Sequence, residues 1–137
     1  RAFKTMAQPA GINIEVIQVP PQVYWSDYAG RVPFATGNWG FRPSIDETFM
    51  VAYHSLSKGN ESHWSNPTLD ALIDQARGEA DKEQRQTLYH EAQQLLMQEG
   101  AVIIPYFLPL AMATGGDVQG FTVHPSGWID LRTARLG

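Results

Sequence analysis

The chain of 137 residues contains no cysteine, which excludes a disulfide framework, a zinc–thiolate site and a cysteine nucleophile. Strong positive charge is also missing. The net charge is −4, and nucleic-acid binding requires a basic surface, so a nucleic-acid partner is not expected. The longest apolar run, residues 101–113, is interrupted by proline and is shorter than the roughly 20 residues of a membrane span. With 43% hydrophobic residues, the chain has the composition and length of one globular domain.

Catalytic motifs are missing as well. The sequence has neither the Gly-x-Ser-x-Gly elbow of serine hydrolases nor the His-Glu-x-x-His motif of zinc peptidases. Asp70 and Asp74 are predicted on the solvent-facing side of a helix, where paired charges are common. A hydrolase built from the serine, histidine and glutamate residues between 54 and 63 is the rival interpretation. We predict a protein that is not an enzyme, with no catalytic residue and no cofactor.

Residues 66–78 have the pattern of an amphipathic helix. Asn66 is a favourable N-cap, and Pro67 takes the first helical position, where its missing N–H costs no hydrogen bond. Apolar residues then recur at helical spacing and form one face: Leu69, Leu72, Ile73 and Ala76.

A second helix is predicted directly after the first. Asp81 and Gln84 resemble a capping box. The apolar stripe of this helix consists of Leu88, Ala92, Leu95 and Leu96. We expect Gly100 to end the helix in a left-handed turn, and residues 102–107 to form a strand that is buried on both faces.

The rest of the chain predicts shorter elements. A helix at residues 2–9 should stop at Pro9 and Gly11, and a short helix is expected over 23–28. A loop at 40–45 leads into a helix at 46–53, capped by Ser44 or Asp46. Alternating or apolar segments predict strands at 12–19, 34–39, 111–114, 121–123 and 128–131, with a turn at 115–117. This alternation of strands and helices favours an α/β fold with a mixed sheet.

Three sequence motifs occur in a fixed order. They are Ser-Asn-Pro-x-Leu-Asp-Ala-Leu at 65–72, Asp-Lys-Glu-x-Arg-x-x-Leu-Tyr-x-Glu-Ala-Gln at 81–93, and Ile-Ile-Pro-Tyr-Phe at 103–107. With Ala10-Gly-Ile-Asn-Ile-Glu-Val and Asn38-Trp-Gly upstream, they resemble the C-terminal part of the family 5 extracellular solute-binding proteins. Those are the peptide- and nickel-type receptors of bacterial ABC importers. The resemblance covers almost the whole chain.

The resemblance implies an α/β fold of the periplasmic binding protein type (type II, cluster C), truncated to one lobe with a mixed sheet flanked by helices. Residues 1–114 would form the C-terminal lobe, and residues 115–137 would return to the other, absent lobe. The chain would be a fragment without its signal peptide. Its implied partners are the missing N-terminal part of the same protein, ABC permease subunits, and a peptide-like or anionic solute captured in the periplasm.

The loop from Asn38 to Asp46 is the strongest candidate site, because it follows a predicted strand and α/β folds bind ligands at strand ends. Trp39 and Phe41 offer aromatic walls, and Gly40 allows close approach of the backbone. Arg42 offers a planar fork of donors for a carboxylate or phosphate. The alternative is a surface turn with Trp39 in the core and Arg42 in solvent.

Arg42 departs from the peptide-receptor pattern. In the di- and oligopeptide receptors the loop after this tryptophan is acidic, and an aspartate pairs with the α-amino group of the ligand. A cation at that position repels an ammonium group and attracts an anion. We therefore expect a ligand that presents a carboxylate or another anionic group to Arg42.

A second candidate wall contains His63 and Trp64, within residues 60–64. The alternative is a polar loop that Trp64 anchors to the core. No metal ligands are predicted, because the four histidines are scattered and none forms a His-x-x-x-His pair. A metal-chelate receptor of the same fold, with His54 or His63 near the chelate, stays open as an alternative. So does an interaction domain that is complete in itself.

Overall fold

The computed structural model describes residues 2–109, 111–124 and 126–137. The chain divides into two compact units, Arg1–Ala35 and Thr36–Gly137. None of the helices in the described residues has the length and apolarity needed to cross a bilayer.

The first unit contains two short helical segments. Helix α1 (Ala2–Ala7) continues into a 3₁₀ turn (Gln8–Ala10) and ends at Gly11, whose φ of 77° lies in the left-handed region. Helix α2 (Pro21–Val23) continues as a π-helical turn (Tyr24–Tyr28). Both predicted helices of this unit are therefore confirmed, and the second begins two residues early because proline suits a first helical turn.

The predicted strand at 12–19 is wrong. Residues 12–20 have no regular secondary structure and no strand partner among the described residues, and Ile12, Val16 and Ile17 are exposed. An isolated extended segment does not form a strand, because its N–H and C=O groups need a neighbouring strand as hydrogen-bond partner. The predicted strand at 34–39 is missing for the same reason.

The core of the second unit is built by three helices: α3 (Ile45–Ala52), α4 (Pro67–Gly78) and α5 (Lys82–Glu99). Their facing sides bury one cluster of side chains, Phe49, Leu69, Ile73, Ala76, Tyr89, Ala92 and Leu96. Leu72, Leu88 and Leu95 pack against it and are only partly buried. The predicted apolar faces of both long helices are thus confirmed, and Tyr89 is an additional core member.

The caps of these helices are also confirmed. The Asn66 side chain accepts hydrogen bonds from the N–H groups of Thr68 and Leu69 at 2.9 and 3.2 Å. The Asp81 carboxylate accepts from the N–H of Gln84 at 2.9 Å. These caps fix where α4 and α5 start, and hence the register in which their apolar faces meet.

Gly100 corrects one prediction. Its φ of −69° and ψ of 148° are extended, so α5 does not end in a left-handed turn. Glycine is required there for a different reason, since a Cβ at this position would overlap the carbonyl oxygen of Leu96. The chain therefore leaves α5 in an extended direction.

The predicted buried strand at 102–107 is also wrong. Residues 102–109 have no regular secondary structure and no strand partner within the described residues, and Ile103 and Phe107 are 60% and 87% exposed. The predicted strand at 111–114 does not form either. The apolar sequence of these segments is that of a buried strand, but the described residues provide no sheet to cover it.

Residues 115–137 form two small antiparallel sheets. Strand β1 (Val118–Gln119) pairs with β4 (Arg135–Leu136), and β2 (Thr122–Val123) pairs with β3 (Ile129–Asp130). The predicted turn before β1 is present, with the N–H of Val118 donating to the carbonyl of Gly115 at 3.0 Å. The strands predicted at 121–123 and 128–131 are confirmed as a pair. The chain thus combines helices with small sheets, as an α/β composition requires, while the mixed sheet flanked by helices is not present among the described residues.

Candidate functional site

The predicted loop from Asn38 to Asp46 ends earlier in the structure, because α3 begins at Ile45; residues 38–44, here called the site loop, are held at their C-terminal end by the start of this helix. The Ser44 side chain caps this helix by accepting from the N–H of Glu47 at 3.1 Å. The Thr48 hydroxyl donates to the Ser44 carbonyl at 3.2 Å. Of the two caps that the sequence predicted, Ser44 is the one used. The position of Arg42, two residues before Ser44, is thereby tied to a rigid element.

The aromatic residues of the site loop are exposed rather than buried in the core. Trp39 and Phe41 are 42% and 56% exposed. No atom lies within 4 Å of where a Cβ on Gly40 would be, so the backbone between the two rings is open to approach. Trp39 therefore does not belong to the core, whereas a ligand-binding wall at these rings stays a prediction.

The Arg42 guanidinium lies over the Trp39 ring, 5.8 Å from its centroid, in the range of a cation–π contact. Its Nη1 is 3.9 Å from Glu47 Oε1, which is an ion pair but too long for a hydrogen bond. Its Nε is shielded from solvent and has no hydrogen-bond partner among the described residues. The Arg42 guanidinium is thus positioned by the Trp39 ring and by a loose ion pair with Glu47. In the described part of the chain it makes no close, bidentate hydrogen bonds to a carboxylate, which are the strongest bonds that a guanidinium can form.

The site loop also contacts the polar loop that follows α3. A Cβ placed on Gly59 would lie 3.5 Å from Trp39 Cη2 and 2.6 Å from the carbonyl oxygen of Val51. Glycine therefore allows the Trp39 ring and the end of α3 to approach this loop closely. Sequence analysis did not predict this contact, because nothing in the spacing of Trp39 and Gly59 indicates it.

The second candidate wall, residues 60–64, is organised by Asn60, which is only 4% exposed. Its Nδ2 donates to the Trp64 carbonyl at 2.8 Å, and its Oδ1 accepts from the Ser62 hydroxyl at 2.8 Å. His63 has a φ of 54°, a left-handed conformation that this tight loop imposes, and its side chain is exposed.

Trp64 is partly buried and packs against the helical core, which is the geometry of the anchoring alternative. It therefore holds the loop in place whether or not its accessible edge meets a ligand. The assignment of ligand binding to His63 and Trp64, as to Trp39, Gly40, Phe41 and Arg42, stays a prediction.

Sequence reasoning missed a polar cluster around His54, a residue that is only 7% exposed. Its Nδ1 accepts from the N–H of Leu56 at 3.2 Å and lies 3.9 Å from Asp70, and its Nε2 lies 3.8 Å from Asp74. Asp70 also accepts from the N–H of Ser55 at 2.9 Å. The prediction that Asp70 faces solvent is thus wrong, because this carboxylate stabilises the turn after α3. In the described part of the chain, no group of three or more metal-ligating side chains is gathered around a possible ion position.

A second missed network fixes the start of α3. Asp46 Oδ1 accepts from the Tyr89 hydroxyl at 3.1 Å and lies 3.1 Å from Arg77 Nε. Burial, followed by the hydrogen bond to Asp46, raises the pKa of Tyr89 to about 12. One carboxylate therefore connects α3 with α4 and α5 immediately beside the site loop.

No family model matches the chain, whereas several curated proteins do. It is 30% identical over 126 residues to the dipeptide-binding protein DppE of Bacillus subtilis and 30% identical over 105 residues to the probable deoxycholate-binding periplasmic protein YgiS of Escherichia coli. It is 41% identical over 73 residues to the probable di/tripeptide-binding protein 5 of Pseudomonas aeruginosa. These matches cover 90%, 73% and 53% of this chain, but only 23%, 20% and 14% of the relatives.

The class of protein to which these relatives point is the solute-binding protein. The chain belongs to family 5 of that class, as its ordered motifs predicted, over a segment of about a quarter of a relative's length or less. The relatives' names describe binding, in agreement with the prediction that the chain is not an enzyme.

Proposed function

We propose that this chain is part of the substrate-binding component of a bacterial ABC importer, which captures a peptide-like or anionic solute and delivers it to the permease. The observation that carries this proposal is the match along 90% of the chain to a dipeptide-binding protein. The exposed aromatic and cationic side chains of the site loop form a surface that suits a peptide-like or anionic solute. No chemistry on the solute is needed, since the receptor only has to hold it.

The proposed ligand wall consists of Trp39, Gly40, Phe41 and Arg42, with His63 and Trp64 as a second wall. The two rings of the site loop can stack on apolar or planar parts of a solute, and the open backbone at Gly40 leaves room for close approach. Arg42 would receive a carboxylate. One relative is named as a probable deoxycholate-binding protein; deoxycholate is an amphipathic steroid that carries one carboxylate, and this combination also suits an aromatic wall with an arginine.

The proposed fold is a lobe of a periplasmic binding protein of type II, cluster C. Residues 1–114 belong to the C-terminal lobe, and residues 115–137 return toward the other lobe. The apolar residues 102–107 support this assignment, because their exposed side chains would be covered by strands from elsewhere in a longer chain. The proposed partners are therefore the rest of the same protein and, after closure around the solute, the permease subunits.

The proposed location is the periplasm. Its support is that YgiS, one of the relatives, is named as periplasmic.

The experiment is calorimetric titration of the intact receptor with dipeptides, longer peptides, deoxycholate and nickel chelates. We expect binding of a peptide or of another carboxylate-bearing solute, and substitution Arg42→Ala should weaken it. The matched control is Arg132→Ala, which removes the same charge from an exposed arginine whose ion-pair partner is its neighbour Asp130. Unchanged affinity in Arg42→Ala would refute the assigned role of Arg42.

Two further outcomes would favour the alternatives. Binding of nickel chelates alone, lost in His63→Ala, would identify a metal-chelate receptor; His63 is the residue to change because its side chain is exposed, whereas that of His54 is buried. Absence of binding to every solute, together with a gene that encodes no further receptor sequence, would favour an interaction domain.

A further inference from the structure

The ion pair between Arg42 and Glu47 is loose enough for another carboxylate to replace Glu47. The two side chains are 3.9 Å apart at their nearest charged atoms, and both are more than a third exposed. At this separation the pair gains Coulomb attraction but no hydrogen bond. The guanidinium is held by the Trp39 ring as well, so its position does not depend on Glu47 alone.

Glu47 does not depend on Arg42 for its position either. It lies in the first turn of α3, where a negative charge is favoured by the helix dipole, and its N–H is bonded to Ser44. The other carboxylate of this turn, Asp46, is already engaged by Arg77 and Tyr89. Glu47 is therefore the carboxylate of this helix that faces the cation of the site loop.

The unused bonding capacity of Arg42 indicates what would displace Glu47. A guanidinium binds a carboxylate best through two parallel N–H···O bonds. The loose contact to Glu47 provides neither, and because Nε is shielded from solvent, a solute carboxylate would have to bond the terminal nitrogens Nη1 and Nη2. A solute carboxylate that docks in the bidentate geometry would gain both bonds, and the exposed rings of Trp39 and Phe41 would flank the rest of the solute.

We propose that Glu47 is an internal competitor for Arg42, which a solute carboxylate must displace, and that it sets how strongly the receptor selects carboxylates. This inference rests on the proposed function. Loss of the Glu47 charge should tighten the binding of carboxylate solutes about two- to five-fold, the range expected for a partly exposed ion pair. Loss of the Arg42 charge should weaken it about tenfold or more, since hydrogen bonds to charged groups are the stronger kind.

The test uses the intact receptor and two probes made from one N-acetylated dipeptide, the free acid and its C-terminal amide. Wild type, Glu47→Gln, Arg42→Gln and the control Glu83→Gln are titrated with both probes. Glu83→Gln removes the same charge from the first turn of α5, where it faces no site arginine. We expect Glu47→Gln to raise the ratio of acid to amide affinity, Arg42→Gln to lower it, and Glu83→Gln to leave it unchanged.

The outcomes separate the two proposals. If the wild-type receptor binds a probe but Glu47→Gln leaves the acid-to-amide ratio unchanged, Glu47 is not a competitor, and solute binding stands. If Glu83→Gln raises the acid-to-amide affinity ratio as much as Glu47→Gln, the change comes from the net charge of the protein and not from the Arg42–Glu47 pair, and the inference is overturned. If neither probe nor any solute of the larger panel binds to the wild type, the proposed function fails and this inference falls with it.

Discussion

The hydrogen bond from Tyr89 to Asp46 offers a direct test of how the helices hold the start of α3. Tyr89 lies in the core, where its ring stacks near Phe49 with 6.0 Å between ring centroids. Substitution Tyr89→Phe keeps this packing and removes only the hydroxyl. Since Asp46 retains its ion pair with Arg77, the loss should be that of one hydrogen bond, about 0.5–1.5 kcal/mol of unfolding free energy at neutral pH.

The pH dependence of this loss follows from the raised pKa of Tyr89, about 12 against an ordinary value of 10.0. A phenol that ionises less readily in the folded chain stabilises that chain below pH 10. The stabilisation is then lost as the pH rises from about 10 toward about 12. The stability difference between wild type and Tyr89→Phe should therefore shrink over this window. The ionisation of other groups affects the unfolding free energies of both proteins alike, so it cancels in the difference between them.

The assay is urea unfolding followed by helical circular dichroism, at neutral pH and at several values up to pH 12. Tyr53→Phe is the matched control: burial also raises the pKa of Tyr53, but within the described residues its hydroxyl makes no hydrogen bond, so the neutral-pH loss should be smaller. Equal stability of wild type and Tyr89→Phe at neutral pH, or a difference that does not change between pH 10 and pH 12, would refute the reasoning.

Three other substitutions probe the core, a cap and the contact between the loops. Ile73→Ala, at a fully buried position, should cost about 2–5 kcal/mol of unfolding free energy in denaturant titration, and a loss below 1 kcal/mol would contradict the described core. Asn66→Ala should cost about 1 kcal/mol in the same assay, whereas Asn66→Ser, which keeps a capping oxygen and adds no charge beside Glu99, should cost much less. Gly59→Ala places a Cβ 2.6 Å from the Val51 carbonyl oxygen and should both destabilise the chain and shift the fluorescence of Trp39; an unchanged emission spectrum would argue against the contact between the two loops.

The helices were predictable because the information that defines them is local. The caps at Asn66 and Asp81 and the proline after Asn66 fix the helix starts within a few residues. The helical spacing of apolar residues then selects the buried faces, and these faces cover one another within the same stretch of chain. Tyr89 was missed because a tyrosine in a polar-looking stretch gives no sign of its partner Asp46, 43 residues away.

The strands were predictable only where their partners lie close in sequence. Residues 122–123 and 129–130 pair with each other across a short connection, and both were expected as strands. Residues 12–19, 34–39 and 102–107 have strand-like sequences as well, yet no partner strand is present in the described residues. The residue pattern of a segment indicates that the segment suits a β-sheet. A strand forms only when a second segment is available to pair with it, and the pattern of one segment does not identify that partner.

For the candidate site, too, local residue types were predictable, whereas contacts with distant residues were not. The residue types at 39–42 predict aromatic walls and an anion-binding cation, and this assignment stays a prediction; what the structure adds is that Trp39 and Phe41 are exposed. The loose ion pair to Glu47 and the contact with Gly59 depend on how α3 directs the loop, and single positions in the sequence carry no such information. Asp46 anchors α3 to the two long helices, whose positions are predictable from local sequence. These helices therefore help to position Arg42, which precedes α3. If Arg42 receives the solute as proposed, a change in the Asp46 network should alter solute selectivity before it removes the helices themselves.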